Sequence, residues 1–331
     1  MRPQINPFFL HVKLQQIIKI FVVFAAFTYI FYRLFVNFDI YQNLSFLLSW
    51  SNQKTFFLSF CFLLMVINWL TESAKWKLLL YNIEKISIFT SLKSVFIGIT
   101  CAIFTPYRIG EFAGRPILIK KENKLSAILA TFVGSASQSI TTIGMGFLGL
   151  FINEYMNIPL DLFSLNKFTI TITITIFVYF GIIYLYFNPW LIIKIIQKSG
   201  LFLRWKIKLD FLCEYNFKVL SKILIYSHLR YIVFFFQYFI LLSIFNVHIG
   251  LINSFSAISL SYLFLFSIPG IPIAEIGIRG SLALYFLGTY STNEIAILTA
   301  STSLWIINLV IPAIIGSVFL LISKNEGKNR V

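Results

Sequence analysis

Long runs of apolar residues limit the fold of this chain more than any other feature. A helix needs about 20 predominantly apolar residues to cross the hydrocarbon core of a bilayer. The runs of roughly this length are 17–36, 55–71, 125–152, 168–187, 229–247 and 294–322. Charged residues make up only 12% of the chain, against about 25% in a soluble domain. The sequence therefore predicts an all-α polytopic integral membrane protein with about six full transmembrane helices.

The run 168–187 carries a conflicting signal, because its first ten residues alternate Thr with Ile, a period typical of strands. An open strand would leave its backbone donors and acceptors unsatisfied in lipid, whereas a helix satisfies them internally. The continuation of the run to residue 187 makes it long enough to cross a membrane. We therefore predict a helix here.

Two further apolar regions, about 86–118 and about 255–287, are too long for one span and are interrupted by prolines. The first is interrupted at Thr105 and Pro106, and the second between Pro269 and Pro272. Half-length helices that meet at such a break are typical of discontinuous or re-entrant segments. We predict a re-entrant helical hairpin in each region.

Basic residues collect in the segments between the apolar runs, and their distribution predicts the orientation of the chain. The formal net charge is +15, which here indicates anionic lipid headgroups rather than nucleic acid as the partner. The loop charges alternate only if the first hairpin enters from the cytoplasm and the second from outside, with both termini cytoplasmic. The halves 1–187 and 229–331 would then form an inverted repeat. With the basic segment 188–228 along the cytoplasmic interface, residues 1–331 form one transmembrane domain.

A short charged motif occurs once beside each break. Glu111 precedes Arg115 by four residues, and Glu275 precedes Arg279 by the same spacing. A charge in the bilayer costs about 2.5–3.5 kcal/mol even on a lenient scale, so four of them require a reason. On a helix, a Glu four residues before an Arg lies on the same face and forms a favourable ion pair.

The first copy also resembles an anion site. Thr105 is a good N-cap and Pro106 is favoured at the first helical position, so we predict that a helix begins here with Arg108 in its first turn. Such a helix end attracts anions, and the commonest anion in a membrane is a lipid phosphate. We predict a phosphate site with Arg108 or Arg115 as its cation. A structural salt bridge that closes the hairpin is the alternative, and the two are compatible.

No cation precedes the second copy, so it is the poorer anion site. We expect Glu275 to neutralise Arg108 or Arg115 where the hairpin tips meet, because unpaired buried charges would cost far more. The predicted residues that bind a lipid headgroup are Arg108, Glu111, Arg115, Glu275 and Arg279.

Other polar residues have more ordinary explanations. The segment 72–77, which follows the second span, is predicted to be an interfacial anchor whose long side chains extend to the membrane surface. Polar side chains within 125–152 and 294–322, including Gln138 and Asn308, are expected to bond between helices. Lining a hydrophilic path for a headgroup is the alternative for these residues.

Catalytic motifs are absent from the sequence. The three histidines are scattered, the three cysteines are isolated, and no GxSxG, HExxH or P-loop pattern occurs. We therefore expect a protein that is not an enzyme, with no catalytic residue, no cofactor and no metal site.

Three segments together carry a family resemblance: 75–80, the stretch from Pro106 to Arg115, and the stretch from Pro269 to Glu275. They resemble the lysylphosphatidylglycerol synthase transmembrane-region family, known from the lipid-flipping half of the bacterial multiple peptide resistance factor. The resemblance covers about residues 15–322. It implies a multi-pass protein of the bacterial cytoplasmic (inner) membrane, and it implies that Glu111, Arg115 and Glu275 form the lipid-handling cavity.

Two departures qualify this resemblance. The family is glycine-richer after the second proline break, where this chain has Ile271, Pro272, Ile273 and Ala274. The 331 residues also hold no soluble aminoacyl-transferase domain. We therefore expect a stand-alone flippase-like domain that does not make lysyl-lipid by itself.

The sequence thus favours a lipid translocator that binds a phosphate-bearing headgroup between two re-entrant hairpins. Its partner would be a membrane phospholipid or a polyprenyl-phosphate lipid. The alternatives are a membrane-embedded accessory protein or transferase acting on polyprenyl-phosphate-linked sugars, and a non-transporting assembly subunit. The oligomeric state stays open, a homo-oligomer included.

Overall fold

The structure, a computed structural model, describes residues 28, 51–103, 105–155, 165–191, 194, 212, 214–268 and 275–328. For 155, 165–175 and 324–328 it describes the backbone alone. The described residues form helices and connecting turns without a β-strand, so the all-α prediction is confirmed. The predicted span 17–36 lies outside the described residues, apart from residue 28.

Ten α-helices, numbered here in chain order, account for most of this structure. They are α1 (Asn52–Leu79), α2 (Ile88–Ala102), α3 (Ile109–Gly114), α4 (Lys124–Tyr155), α5 (Leu165–Phe187), α6 (Phe217–Ile244), α7 (Leu251–Ser267), α8 (Glu275–Leu287), α9 (Glu294–Trp305) and α10 (Ile311–Lys328). A π-helical turn, Ile306–Val310, joins α9 to α10.

Four described segments are long and apolar enough to cross a membrane: Asn52–Leu79, Lys121–Glu154, Phe217–Ile244 and Glu294–Ser323. They contain most or all of four of the six predicted spans. The Thr-Ile run is helical in α5, as the argument from backbone satisfaction in lipid requires. The total of six spans stays a prediction.

Both predicted hairpins contain a pair of helices. Helix α2 leads to the short α3 in the first, and α7 leads to α8 in the second. Each pair packs side by side. The second break, 269–274, lies outside the described residues.

The first break differs from its prediction in one detail. Residues Pro106–Arg108 form a separate 3₁₀ turn, because Tyr107 and Arg108 adopt left-handed backbone conformations with φ of 54° and 57°. The helix therefore begins at Ile109, and Arg108 caps it instead of lying in its first turn. The Thr105 hydroxyl still contributes to the helix start by accepting a hydrogen bond from the Gly110 amide at 2.8 Å.

Glycines set the distance between the two arms of this hairpin. A Cβ added to Gly110 would lie 2.0 Å from the Cys101 carbonyl oxygen, and one added to Gly114 would lie 2.8 Å from the Gly98 Cα. Helix α2 thus packs directly on α3 at Gly110 and Gly114. The hairpin is closed by direct backbone contact.

In each half of the chain, one helix of the predicted hairpin packs on a helix of the other half. Helix α2 of the first hairpin packs on α10, while α7 of the second packs on α4. Each contact uses a hydroxyl that donates to a backbone carbonyl: Thr100 to Ala313 at 2.7 Å, and Ser256 to Gly149 at 2.9 Å. Helices α1 and α6 pack against each other at the centre. A two-fold relation between the halves predicts this pattern; its inverted orientation in the membrane stays a prediction.

The C-terminal boundary of the predicted interfacial segment 188–228 does not coincide with a helix boundary in the structure. Residues from Phe217 onward belong to α6, so the boundary at 228 falls inside a long helix. The sequence predicted a boundary after Lys218 and Lys222 because these lysines make the stretch basic. Arg230 belongs to the predicted span 229–247 and lies within the same helix, where other charges compensate it.

Candidate functional site

A cavity of about 680 Å³ lies among α1, α4, α6, the two hairpins and the π-helical turn. It is lined by five basic side chains, Lys75, Arg108, Arg115, Arg230 and Arg279, and by three acidic ones, Glu72, Glu111 and Glu275. Five positive and three negative groups give these residues a formal charge of +2. The five predicted headgroup residues thus share one cavity with three charged residues that the sequence analysis assigned elsewhere.

Glu72 is the centre of this charge cluster. Its side chain is only 2% exposed and contacts three cations. Lys75 Nζ lies 2.8 Å from Oε2, Arg115 Nη2 lies 2.7 Å from Oε1, and Arg230 Nη1 also donates to Oε2. The prediction of an interfacial anchor at 72–77 is therefore wrong for Glu72 and Lys75. Helix α1 continues to Leu79 and carries both into the protein.

Hydrogen bonds and aromatic faces make this buried cluster tolerable. A buried ion pair compensates its desolvation only when further polar partners satisfy the remaining groups. Arg230 Nε donates to Asn68 Oδ1 at 2.9 Å and its Nη1 donates to Gln138 Oε1 at 3.3 Å. Its guanidinium also lies over the Trp69 ring, and that of Arg115 lies over Trp76. Such cation–π contacts stabilise a charge that has lost its water.

Lys75 links the cluster to α4 and α6. Its ammonium donates to the Gly134 carbonyl at 3.3 Å and to the Ser227 hydroxyl at 3.4 Å. Ser227 and Ser137 are hydrogen-bonded to each other at 2.8 Å. Three neighbouring helices are therefore joined through one buried ammonium.

The first copy of the motif extends from this cluster toward the cavity. Arg115 pairs with Glu111 as well as with Glu72, and its side chain is 5% exposed. Glu111 in turn lies 3.5 Å from Arg108, whose side chain is 42% exposed. A gradient of accessibility thus runs from the buried Arg115 to the open Arg108.

The second copy pairs within itself. Arg279 Nη2 donates to Glu275 Oε2 at 3.1 Å, and the two side chains are 20% and 15% exposed. Among the described residues, Glu275 forms no ion pair with Arg108 or Arg115. The predicted pairing across the hairpin tips is therefore wrong, because Glu72 supplies the carboxylate that Arg115 was expected to find on α8.

Some polar residues of the spans bond between helices, as predicted, and others line the cavity. Asn308, in the π-helical turn, donates to Gln237 Oε1 at 2.7 Å and accepts from Asn68 at 3.3 Å, which joins three helices. Other polar residues face the cavity: Ser135, Gln138, Ser139 and Thr142. The lining also contains a set of apolar residues: Phe112, Phe234, Leu265, Phe266, Ile268, Leu304 and Leu309. The cavity can therefore accept an amphipathic molecule.

Glu72, Lys75 and Arg230 were not predicted as members of the site. Arg230 gave no local signal, because its partners come from other helices. Glu72 and Lys75 gave a local signal. Together with Asn68 they follow one another at helical spacings and share a face of α1. In the part of the chain that the structure describes, no group of three or more His, Cys, Asp or Glu side chains could hold a metal ion.

Together, the apolar helices and the charged cavity between them define a polytopic α-helical membrane protein with a polar internal site. The family model described as the lysylphosphatidylglycerol synthase TM region matches residues 16–321. The chain belongs to this family, so the resemblance seen in the sequence is confirmed. A search among curated proteins gives no match.

Proposed function

We propose that this protein is a lipid translocator whose charged cavity binds a phosphate-bearing headgroup. The observation that carries the proposal is the composition of the cavity lining. The lining combines charged residues with a formal charge of +2 and a set of apolar side chains, and both lie inside a membrane protein. A phosphate at the basic side and an acyl chain along the apolar side would match both surfaces.

Within this proposal, the cations have different roles. Arg108 and Arg279 are the two most exposed guanidinium groups of the lining and hold the phosphate, since guanidinium geometry suits phosphate oxygens. Arg115 is engaged by two carboxylates and is nearly inaccessible, so it positions the first hairpin. Glu111 and Glu275 orient Arg108 and Arg279 by ion pairing.

The proposal also includes the setting of the protein. We place it in the bacterial cytoplasmic membrane with both termini in the cytoplasm, and we assign it no enzymatic activity. The hairpins would enter from opposite sides, so a headgroup held between them lies between the two leaflets. Movement of one half against the other would expose it to either side, as in transporters built from inverted repeats.

Reconstitution into liposomes tests this proposal. Lipids with a fluorescent acyl chain are placed in both leaflets, and a membrane-impermeant reductant quenches only the outer ones. Translocation makes nearly the whole signal quenchable, whereas protein-free liposomes keep about half. Arg279→Ala should slow the exchange, while Lys77→Ala, an exposed lysine outside the cavity lining, should not.

The opposing results are distinct. Wild-type protein that leaves half of the signal protected would refute translocation. A covalently altered lipid, detected by mass spectrometry, would favour a transferase instead.

A further inference from the structure

The acidic side chains of the cavity are already occupied. Glu72 contacts three cations, Glu111 pairs with Arg115 and Arg108, and Glu275 pairs with Arg279. Among the described residues that line the cavity, every carboxylate thus has a cationic partner. A ligand ammonium group would have to displace an arginine or a lysine to find one.

Among the described residues, the buried side-chain atoms of the cavity lining that lack a hydrogen-bond partner are all donors. Four buried nitrogens of its lining residues have no hydrogen-bond partner among the described residues: Trp69 Nε1, Trp305 Nε1, Arg115 Nε and Arg279 Nε. In the same part of the chain, no buried acceptor of a lining side chain lacks a partner. The formal charge of +2 and this shortage of free acceptors favour a ligand that brings acceptors rather than further donors.

From these two observations we infer that the cavity selects lipids whose headgroup is anionic and carries no amine. This inference rests on the proposed function and names its substrate class: phosphate-ester lipids with hydroxyl or unsubstituted headgroups. An aminoacylated headgroup with the same phosphate is rejected. Its ammonium groups would enter a cavity with a formal charge of +2 and meet carboxylates that are already paired.

The discrimination follows from charge and pairing together. Like charges placed together in a poorly hydrated cavity repel, and removing an arginine from a buried carboxylate leaves that arginine unpaired. We expect at least about tenfold weaker binding of the cationic lipid, which corresponds to about 1.4 kcal/mol.

Two lipids with identical acyl chains test the inference on wild-type protein: phosphatidylglycerol and lysyl-phosphatidylglycerol. Retention of each is measured by native mass spectrometry from detergent, and movement of fluorescent versions is measured in liposomes. A third arm adds sn-glycerol 3-phosphate as a soluble competitor. Preferential retention of phosphatidylglycerol, without displacement by equimolar glycerol phosphate, supports the inference. Equal retention, or a preference for the lysyl lipid, overturns it.

The two readouts separate this inference from the proposed function. Selective retention without movement between leaflets would preserve the selectivity and refute translocation. Movement of both lipids at one rate, with equal retention, would preserve translocation and refute selectivity. Displacement of the lipid by equimolar glycerol phosphate would overturn the lipid assignment, since a soluble phosphate ester would then suffice.

A charge reversal sharpens the test. Arg279→Glu places two carboxylates on one face of α8 and changes the formal charge of the lining from +2 to 0. We expect the preference for phosphatidylglycerol to fall at least about fivefold, with retention of the lysyl lipid increased. Lys77→Glu, with the same charge change at an exposed position outside the lining, should keep the wild-type preference. Equal shifts in both variants would show a general effect of surface charge and overturn the inference.

Discussion

The two hairpins carry the same Glu–Arg spacing in different surroundings. In the first, Arg115 is buried and shares Glu111 with Arg108 and Glu72 with two further cations. In the second, the ion pairs of Arg279 among the described residues are limited to Glu275, and Arg279 is about four times more exposed than Arg115, 20% against 5%. One motif thus serves as part of a fixed scaffold and the other remains accessible.

This difference shows that a local motif does not determine its role. The i, i+4 pair forms in both copies, as helix geometry requires. Its burial is determined by α1, which brings Glu72 to the first hairpin. Among the described residues, no third charged side chain forms an ion pair with Glu275 or Arg279 on α8. This pair can therefore respond to a ligand without disturbing the core.

Removing the central carboxylate should have the largest effect. Glu72→Ala leaves Lys75, Arg115 and Arg230 without their shared partner, and loss of one member of a buried pair costs about 3–5 kcal/mol. We expect a large drop in the unfolding temperature in detergent, measured by tryptophan fluorescence. Glu275→Ala is the matched control on the second hairpin and should lower it far less. Equal losses would refute the contrast between the hairpins.

The closed first hairpin gives the next largest effect. Gly110→Ala forces a carbon against the backbone of Cys101, and such overpacking costs about 3 kcal/mol at the upper end of its usual range. Gly181→Ala on α5 meets nothing within 4 Å and should be neutral or slightly stabilising. Unfolding temperatures compare the two variants. A neutral Gly110→Ala would mean that the arms are not held in backbone contact.

Lys75 and Lys77 compare a buried and an exposed lysine within one turn of α1. Lys75→Met removes an ammonium that bonds Glu72, Gly134 and Ser227, and a hydrogen bond to a charged group contributes about 2 kcal/mol. Lys77 is exposed, so Lys77→Met should leave the unfolding temperature near that of wild type. Similar stability of the two variants would contradict the burial of Lys75.

The smallest effect on stability is expected from the second motif. Arg279→Ala removes one partly exposed ion pair, which contributes about 0.5 kcal/mol. Phosphatidylglycerol retention should nevertheless fall several-fold, because this arginine is proposed to hold the phosphate. Arg115→Ala should instead lower the stability more than Arg279→Ala does and lower the phosphatidylglycerol retention less. A large loss of stability in Arg279→Ala would place both motifs in the scaffold.

The sequence was sufficient for the helical architecture and for the helix pair in each predicted hairpin. Apolar runs predicted four described spans, and Pro106 marked the first break, because these signals are local. The left-handed pair Tyr107 and Arg108 was not predictable, since Pro106 after Thr105 is the usual signal for a helix start. Tertiary packing overrode that preference.

The membership of the site was only partly predictable for a related reason. The two Glu–Arg pairs are local, so their spacing revealed them. Glu72 instead meets partners that lie 43 and 158 residues away along the chain. Arg230 lies at the start of the predicted span 229–247, and packing of α6 against α1 brings it to Glu72. Long-range pairing of this kind leaves no periodic signal in one sequence.

The same sequence separations matter for biogenesis. Glu72 leaves the ribosome long before Arg115, and longer still before Arg230, so α1 meets the insertion machinery without either arginine. Lys75, three residues further on, is the counter-ion that is present from the start. This neighbour would let Glu72 enter the bilayer as part of a neutral pair, and the arginines would complete the cluster only as the later helices assemble.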